Sequence, residues 1–103
     1  MIKANIEFCG SPYTVSFSKY FKEMGYFCTG KKIIKVKIDE DSMQTLIHEL
    51  FECACVERYL RYYGHENGME FVFFIKHTDL CLLCKDVAGA MRQIMEQINI
   101  DEL

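Results

Sequence analysis

Three polar side chains in the segment Leu46–Glu52 have the types and the spacing of a metal site. They form a His-Glu-x-x-Glu arrangement, in which His48 and Glu52 are four residues apart. On a helix such residues lie about 40° apart, so an imidazole nitrogen and a carboxylate oxygen can reach one metal ion. Glu49 lies beside this pair, where a carboxylate can polarise a metal-bound water. The pattern predicts His48 and Glu52 as ligands and, if the site is catalytic, Glu49 as the general base of a zinc-dependent hydrolase.

The predicted site needs at least one more protein ligand, and His77 is the best-placed candidate. It lies between a strongly apolar segment and the last predicted helix, so packing of that helix against the first would bring His77 towards the pair. Cys81 and Cys84 follow at i+4 and i+7 and extend the candidate set, and His65 in a glycine-flanked loop is a reserve. We therefore expect zinc with His77 as the third ligand.

The same residues also allow a structural interpretation. An imidazole and a carboxylate four residues apart can form a simple hydrogen bond on a solvated helix face. A Cys-x-x-Cys pair inside an apolar helix is usually core packing. Because Cys81 is close to a helix start, where the dipole lowers a thiol pKa, a thiol oxidoreductase is a minor third alternative.

The segment Ile38–Glu52, which reads I-D-E-D-S-M-Q-T-L-I-H-E-L-F-E and continues with Cys53 and Ala54, resembles the helix of small zincin-like proteins of phages and prophages. In those domains a strand and a few polar residues precede L-x-H-E-x-x-H or a His-Glu-x-x-Glu variant. A later helix contributes another histidine. The resemblance covers residues 36–95 and rests on one short motif.

Carried over residue by residue, the resemblance implies that His48, Glu52 and His77 bind a metal. It also implies Glu49 as general base. Glu52 stands where the protease pattern has histidine, and an anionic ligand makes a metal-bound water less acidic. The resemblance is therefore compatible with a hydrolase or with a non-proteolytic metal-binding domain.

Composition excludes some classes of function. Twelve lysine and arginine residues stand against 15 aspartate and glutamate residues, for a net charge of -3, so we expect no nucleic-acid ligand. No apolar run approaches the roughly 18 residues of a membrane span, and we expect a cytoplasmic protein with no membrane partner. Half of the residues are apolar, enough for a core, so the six cysteines are expected to be reduced.

Hydrophobic periodicity predicts the elements that position the candidate site. They are a strand over Ile2–Cys9, a turn at Gly10–Pro12, a strand over Tyr13–Phe17, a helical turn over Lys19–Met24 closed by Gly25, a turn at Cys28–Gly30, a strand over Lys31–Ile38, a helix over Ser42–Tyr63 closed by Gly64, a loop over His65–Gly68, a buried central strand over Met69–Ile75, and a helix capped by Thr78 or Asp79 that ends near Ile98. The order predicts one α+β domain over residues 1–103. Its small mixed or antiparallel sheet of about four strands begins with a hairpin and is covered by two helices.

A second function is consistent with the same composition. Aromatic residues make up 14% of the chain, and Phe51, Tyr59, Tyr62 and Tyr63 lie on or beside one face of the predicted long helix. Such side chains are frequent anchors of protein interfaces, although they are more often core residues. The alternative prediction is therefore a non-enzymatic interaction or inhibitor protein that contacts a protein partner or forms a homo-oligomer.

Overall fold

The chain has an α+β fold, as predicted, with a four-stranded mixed sheet and two long helices. The computed structural model describes residues 1–63 and 70–103. In chain order the elements are β1 (Ile2–Phe8), β2 (Ser11–Ser18), β3 (Gly25–Cys28), β4 (Ile33–Lys37), α1 (Ser42–Glu57), β5 (Arg61–Tyr63), β6 (Phe71–Phe73), α2 (His77–Gln97) and a short 3₁₀ helix (Ile100–Glu102). No helix in these two ranges is long and apolar enough to cross a bilayer.

The larger sheet has the strand order β1-β2-β4-β3. Strands β1 and β2 form an antiparallel hairpin, β2 and β4 pair in parallel, and β3 pairs antiparallel with β4. The predicted N-terminal hairpin is confirmed. Its turn is one residue earlier than predicted, at Cys9 and Gly10, whose φ angles are 52° and 79°. Two successive positive φ values suit a two-residue hairpin turn, so Ser11 and Pro12 already belong to β2.

Alternating side chains of the sheet form the core with one face of each helix. β1 and β4 bury every second residue because successive strand side chains point to opposite faces. β2 buries Tyr13, Val15 and Phe17 in the same way and also buries Ser16 and Ser18. The buried apolar residues are Ala4, Ile6, Phe8, Tyr13, Val15, Phe17, Ile34, Val36, Leu46, Leu50, Cys53, Ala54, Cys55, Leu83, Ala90 and Ile94. Burial of Cys53 agrees with its predicted role as core filler.

Strand β3 is an element that the sequence interpretation missed. Residues 19–24 form turns and bends, and Gly25 opens β3 where it was predicted to close a helical turn. The glycine is needed because β3 crosses α1 at this point. A Cβ atom on Gly25 would lie 2.6 Å from Glu49 Oε1 and 2.7 Å from the Thr45 methyl group.

Helix α1 ends at Glu57, six residues before the predicted end at Tyr63. Tyr59 has a φ of 58°, which turns the chain out of the helix, and the Leu60 N–H bonds the Cys55 carbonyl at 2.8 Å. The following residues enter β5, which pairs antiparallel with β6. The predicted helix end at Gly64 and the predicted loop His65–Gly68 lie outside the described residues.

The prediction of a buried central strand over Met69–Ile75 is wrong. The strand is β6, it covers Phe71–Phe73 only, and its side chains are exposed on both faces. Among the described strands β6 pairs with β5 alone, in a separate two-stranded sheet. A run of apolar residues suits a strand buried on both faces, but it does not specify what covers those faces.

Helix α2 begins at His77, one residue before the predicted caps, and the N–H of Lys76 donates to the Asp79 carboxylate at 3.1 Å. It runs beside β1 and closes the free edge of that strand. Gln97 accepts from the Asn5 N–H at 2.9 Å and donates to the Asn5 carbonyl at 2.7 Å. Gln93 pairs in the same way with Glu7, at 2.8 Å and 2.9 Å.

Candidate functional site

The predicted pair of metal ligands does converge on α1. His48 Nε2 lies 3.1 Å from Glu52 Oε2, as the i, i+4 spacing on a helix requires. The His48 side chain is exposed, whereas that of Glu52 is mostly buried. Two donors of a candidate site are thus in place on one helix face.

The second oxygen of Glu52 is already engaged. Arg61 Nη1, in β5, lies 3.0 Å from Glu52 Oε1, and both side chains are 21% exposed. The Arg61 guanidinium also lies over two rings, 3.8 Å from the centre of Phe71 and 5.5 Å from that of Phe27. Glu52 is therefore a link between α1 and the β5–β6 hairpin as well as a partner of His48.

Arg61 was missed in the sequence interpretation for a definite reason. With the helix predicted to continue to Tyr63, a residue nine positions after Glu52 would lie two and a half turns away along the same rod. The chain reversal at Tyr59 brings it back. A positive φ at a tyrosine has no clear sequence signal, since that conformation is usually taken by glycine or asparagine.

Glu49, the predicted general base, lies at the crossing of α1 and β3. It is only 8% exposed, and burial raises the pKa of its carboxyl, an effect that nearby His48 opposes and Glu52 reinforces. A cavity of about 350 Å³ adjoins it and is lined by Met24, Gly25, Asp41, Gln44, Thr45, His48 and Glu49. The raised pKa suits a group that exchanges a proton, as a general base does.

The third predicted ligand does not complete a metal site in the described part of the chain. His77 is the first residue of α2 and is exposed, as are Cys81 and Cys84. Within residues 1–63 and 70–103, no group of three or more histidine, cysteine, aspartate or glutamate side chains is placed to hold a metal ion. His65 lies outside those ranges. The zinc site of His48, Glu52 and His77 stays a prediction.

The most exposed apolar part of the structure is the hairpin that follows α1. We use the name "arm" for the unit formed by Tyr59, β5, β6 and Phe74. Its exposed side chains are Tyr59 (82%), Tyr62 (54%), Phe71 (40%), Val72 (50%), Phe73 (41%) and Phe74 (63%). Of the aromatic residues predicted as interface anchors, Tyr59 and Tyr62 belong to this arm, whereas Phe51 packs against the core.

The exposed apolar area of the arm is large for a small protein. With roughly 150–250 Å² for a whole aromatic side chain, the exposed fractions amount to about 600 Å². The largest apolar patch on an ordinary monomer covers about 300–600 Å², and one partner of a stable protein complex contributes about 800 Å². The arm therefore has most of the area that a specific interface needs.

The backbone of Phe73, in β6, faces away from β5. The Phe74 N–H bonds the Leu60 carbonyl at 3.0 Å. Hydrogen-bonded and non-hydrogen-bonded residue pairs alternate along an antiparallel ladder. The backbone of Val72 is therefore hydrogen-bonded to that of Tyr62, whereas Phe73 directs its N–H and carbonyl away from β5. No other strand of the described residues lies on that side.

Comparison of the chain with protein-family models, with curated proteins and with solved structures finds no match. The resemblance to phage-type zincin-like domains is therefore a prediction from one motif. The geometry of the arm and of the His48–Glu52 pair is the remaining basis for a function.

Proposed function

We propose that this protein is a protein-interaction module and that the arm is its docking element. The observation that supports this function most strongly is the exposure of apolar side chains on both faces of the β5–β6 hairpin. Burying about 600 Å² of apolar surface is worth about 15 kcal/mol before the costs of association are subtracted. The exposed part of these side chains can stabilise a complex, whereas their covered part packs within the chain.

The occupant that fits the arm is an extended strand of another protein with apolar side chains. The outward N–H and carbonyl of Phe73 provide backbone hydrogen bonds, and the flanking rings provide apolar contacts on alternate sides. This is the mode known as β-strand addition, in which the backbone contributes affinity and the side chains contribute specificity. Few charges compete with it, since the only charged residue of β5 and β6 is Arg61.

Arg61 keeps the arm ready for binding. Its ion pair with Glu52 and its position over Phe71 and Phe27 attach the hairpin to α1 and to β3. A binding element that is already ordered loses less conformational entropy when it binds. In this proposal Glu52 acts through Arg61 as a support for the arm.

Affinity capture with matched variants tests the proposal. Wild-type protein, the arm variant Phe73→Ser/Phe74→Ser and the control Tyr20→Ser are used as baits in lysate of the source cell, and retained proteins are quantified by mass spectrometry. Tyr20 is as exposed as Tyr59 and lies outside the arm. A partner retained by wild type and control, and reduced at least tenfold with the arm variant, is the expected result. Identical sets from all three baits would reject the proposal.

Zinc binding is a second proposal, and the 3.1 Å contact between His48 Nε2 and Glu52 Oε2 is the observation that favours it. If it holds, protein purified without chelator or metal-affinity resin contains one zinc per chain by elemental analysis. His48→Ala then loses the metal, and His77→Ala tests the third ligand. Metal-free wild-type protein, or unchanged zinc in His48→Ala, would reject it.

A further inference from the structure

A second surface, remote in sequence from the arm, is concave and basic. It is a cavity of about 300 Å³ beside β3 and β4, lined by Phe21, Lys22, Glu23, Tyr26, Lys31, Ile33 and Lys35. Tyr26 and Lys35 are directly opposite each other on neighbouring strands, so they point to the same face of the sheet. Gly25 and Phe27, the neighbours of Tyr26, face α1 and the core instead. The cavity therefore opens on the face of the sheet that α1 leaves uncovered.

The segment of the chain that forms this cavity is strongly basic. Residues 19–37 contain six lysines and one glutamate, a net charge of +5. Because the whole chain carries -3, the remaining residues carry -8. The chain therefore has a local excess of positive charge although its net charge is negative, and such an excess attracts small anions.

The cavity lining has three lysines and one carboxylate, that of Glu23, and these lysines form no ion pair within the described residues. Lys32, which lies outside the cavity lining, is paired with Glu57 at 3.0 Å. None of Lys22, Lys31 and Lys35 has an ion pair in residues 1–63 and 70–103. The Lys35 ammonium instead lies 5.6 Å from the centre of the Phe21 ring and 5.9 Å from that of Tyr26, which places positive charge and aromatic surface together.

A neighbouring thiol is consistent with this local field. The pKa of Cys28, at the end of β3, is lowered by a hydrogen bond from the Lys31 backbone N–H, by further bonds from Gly30 and Tyr26, and by the Lys31 ammonium. Several of the groups that stabilise the thiolate belong to residues that line the cavity.

We propose that this cavity binds a nucleoside phosphate, with the phosphate held by Lys22, Lys31 and Lys35 and the base stacked on the aromatic side chains. Lysine ammoniums bind phosphate as point charges, and a base can stack on any aromatic face. The -8 carried elsewhere repels a long polyanion, so the ligand is a free nucleotide and not an extended nucleic acid. This site is independent of the arm.

Calorimetric titration at low ionic strength tests the proposal with probes that separate its two parts. The probes are AMP, inorganic phosphate, adenosine and a ten-nucleotide single strand. AMP is expected to bind one-to-one and at least tenfold more tightly than phosphate or adenosine alone, and its affinity is expected to fall as salt is added. Equal affinities for AMP and phosphate would show that the base does not stack on the aromatic side chains, and they would overturn a nucleoside phosphate as the ligand. A single strand that binds tenfold more tightly than AMP would overturn the choice of a free nucleotide.

Variants of exposed lining residues complete the test. Lys35→Gln and Tyr26→Ala are each expected to weaken AMP binding by tenfold or more. Lys3→Gln, on β1, removes the same charge outside residues 19–37 and is expected to change the affinity less than twofold. A similar loss of AMP affinity in Lys3→Gln and Lys35→Gln would show that only the net charge of the protein matters, and it would overturn the proposed site. The absence of saturable AMP binding to wild-type protein would also overturn it.

Discussion

Two strand edges of this protein, those of β1 and β6, differ in what lies beside them. The free edge of β1 is closed by α2, because Gln93 and Gln97 form four hydrogen bonds with the backbone of Glu7 and Asn5. The outer edge of β6 has no neighbouring strand among the described residues. Open edges invite pairing with other chains, and proteins usually cover or charge them. This contrast is the basis of the proposed docking role of the apolar edge of β6.

The covered edge depends on a match between two repeat distances. Alternate residues of a strand are about 6.7 Å apart, and residues four apart on a helix are about 6 Å apart, so Gln93 and Gln97 can each face one of them. A primary amide has both a donor and an acceptor and can therefore replace one residue of a missing strand. Each glutamine makes both bonds to a single residue, Asn5 or Glu7.

The largest effect is expected from opening the covered edge. Gln93→Ala/Gln97→Ala removes the four hydrogen bonds to β1, each worth about 0.5–1.5 kcal/mol. It also removes two bonds that the same amides donate to the Gly89 and Gln93 carbonyls of α2. Since water can replace part of them at this exposed position, we expect a loss of about 2 kcal/mol in the free energy of unfolding, measured by urea denaturation. The control Gln44→Ala, exposed on α1, is expected to cost less than about 0.5 kcal/mol. Equal losses in the two proteins would contradict the role of the glutamines.

A smaller effect is expected from detaching the arm. Arg61→Gln removes the ion pair with Glu52 and the charge over Phe71, and we expect a loss of about 1 kcal/mol. Amide hydrogen exchange in β5 and β6 should accelerate while exchange in β2 stays the same. The exposed Arg92→Gln on α2 is the control. Unchanged exchange in the arm would show that Arg61 does not fasten it.

The outer edge of β6 should matter less for stability than the edge of β1. Phe73→Ser/Phe74→Ser removes two rings that are 41% and 63% exposed, so the free energy of unfolding should fall by less than about 1 kcal/mol. The same urea experiment measures it. A loss comparable with that of the double glutamine variant would mean that these rings pack inside the isolated chain, and the distinction between the two edges would disappear.

Thiol reactivity gives a further measure of how α2 covers the edge of β1. Cys9 follows β1, and burial together with Asp86 of α2 raises its pKa to about 12. Cys28, at the end of the edge strand β3, has a lowered pKa through the backbone N–H of Lys31. Because only the thiolate is alkylated, iodoacetamide at pH 8 should label Cys28 well before Cys9, as followed by peptide mass spectrometry. The double glutamine variant should label Cys9 faster, and an unchanged rate would mean that α2 does not protect it.

The parts of the fold that could be predicted are those with a regular repeat. The hairpin of β1 and β2 follows from alternation, and the start of α1 at Ser42 from the polar residues that precede it. The end of α1 could not be predicted, because the reversal depends on Tyr59 in a conformation that tyrosine rarely adopts. The error then placed the apolar residues of β6 in the core.

The candidate site divides in the same way. The contact between His48 and Glu52 follows from their spacing on one helix. Arg61 reaches Glu52 only through the reversal of the chain, and a third metal ligand would have to come from another element. Contacts between elements depend on where each one ends, and a single sequence specifies ends less well than repeats.

The most direct test of the docking role is site-specific photo-crosslinking in the source cell. A benzophenone amino acid replaces Phe73 in one variant and Tyr20 in the control. A docking role of the arm predicts a discrete adduct at position 73 with one other protein, mapped by peptide sequencing to an extended apolar segment, and no such adduct at position 20. The same adducts at both positions, or no adduct at position 73, would contradict the docking role. An adduct between two copies of this chain would show that the arm binds a second copy and not another protein.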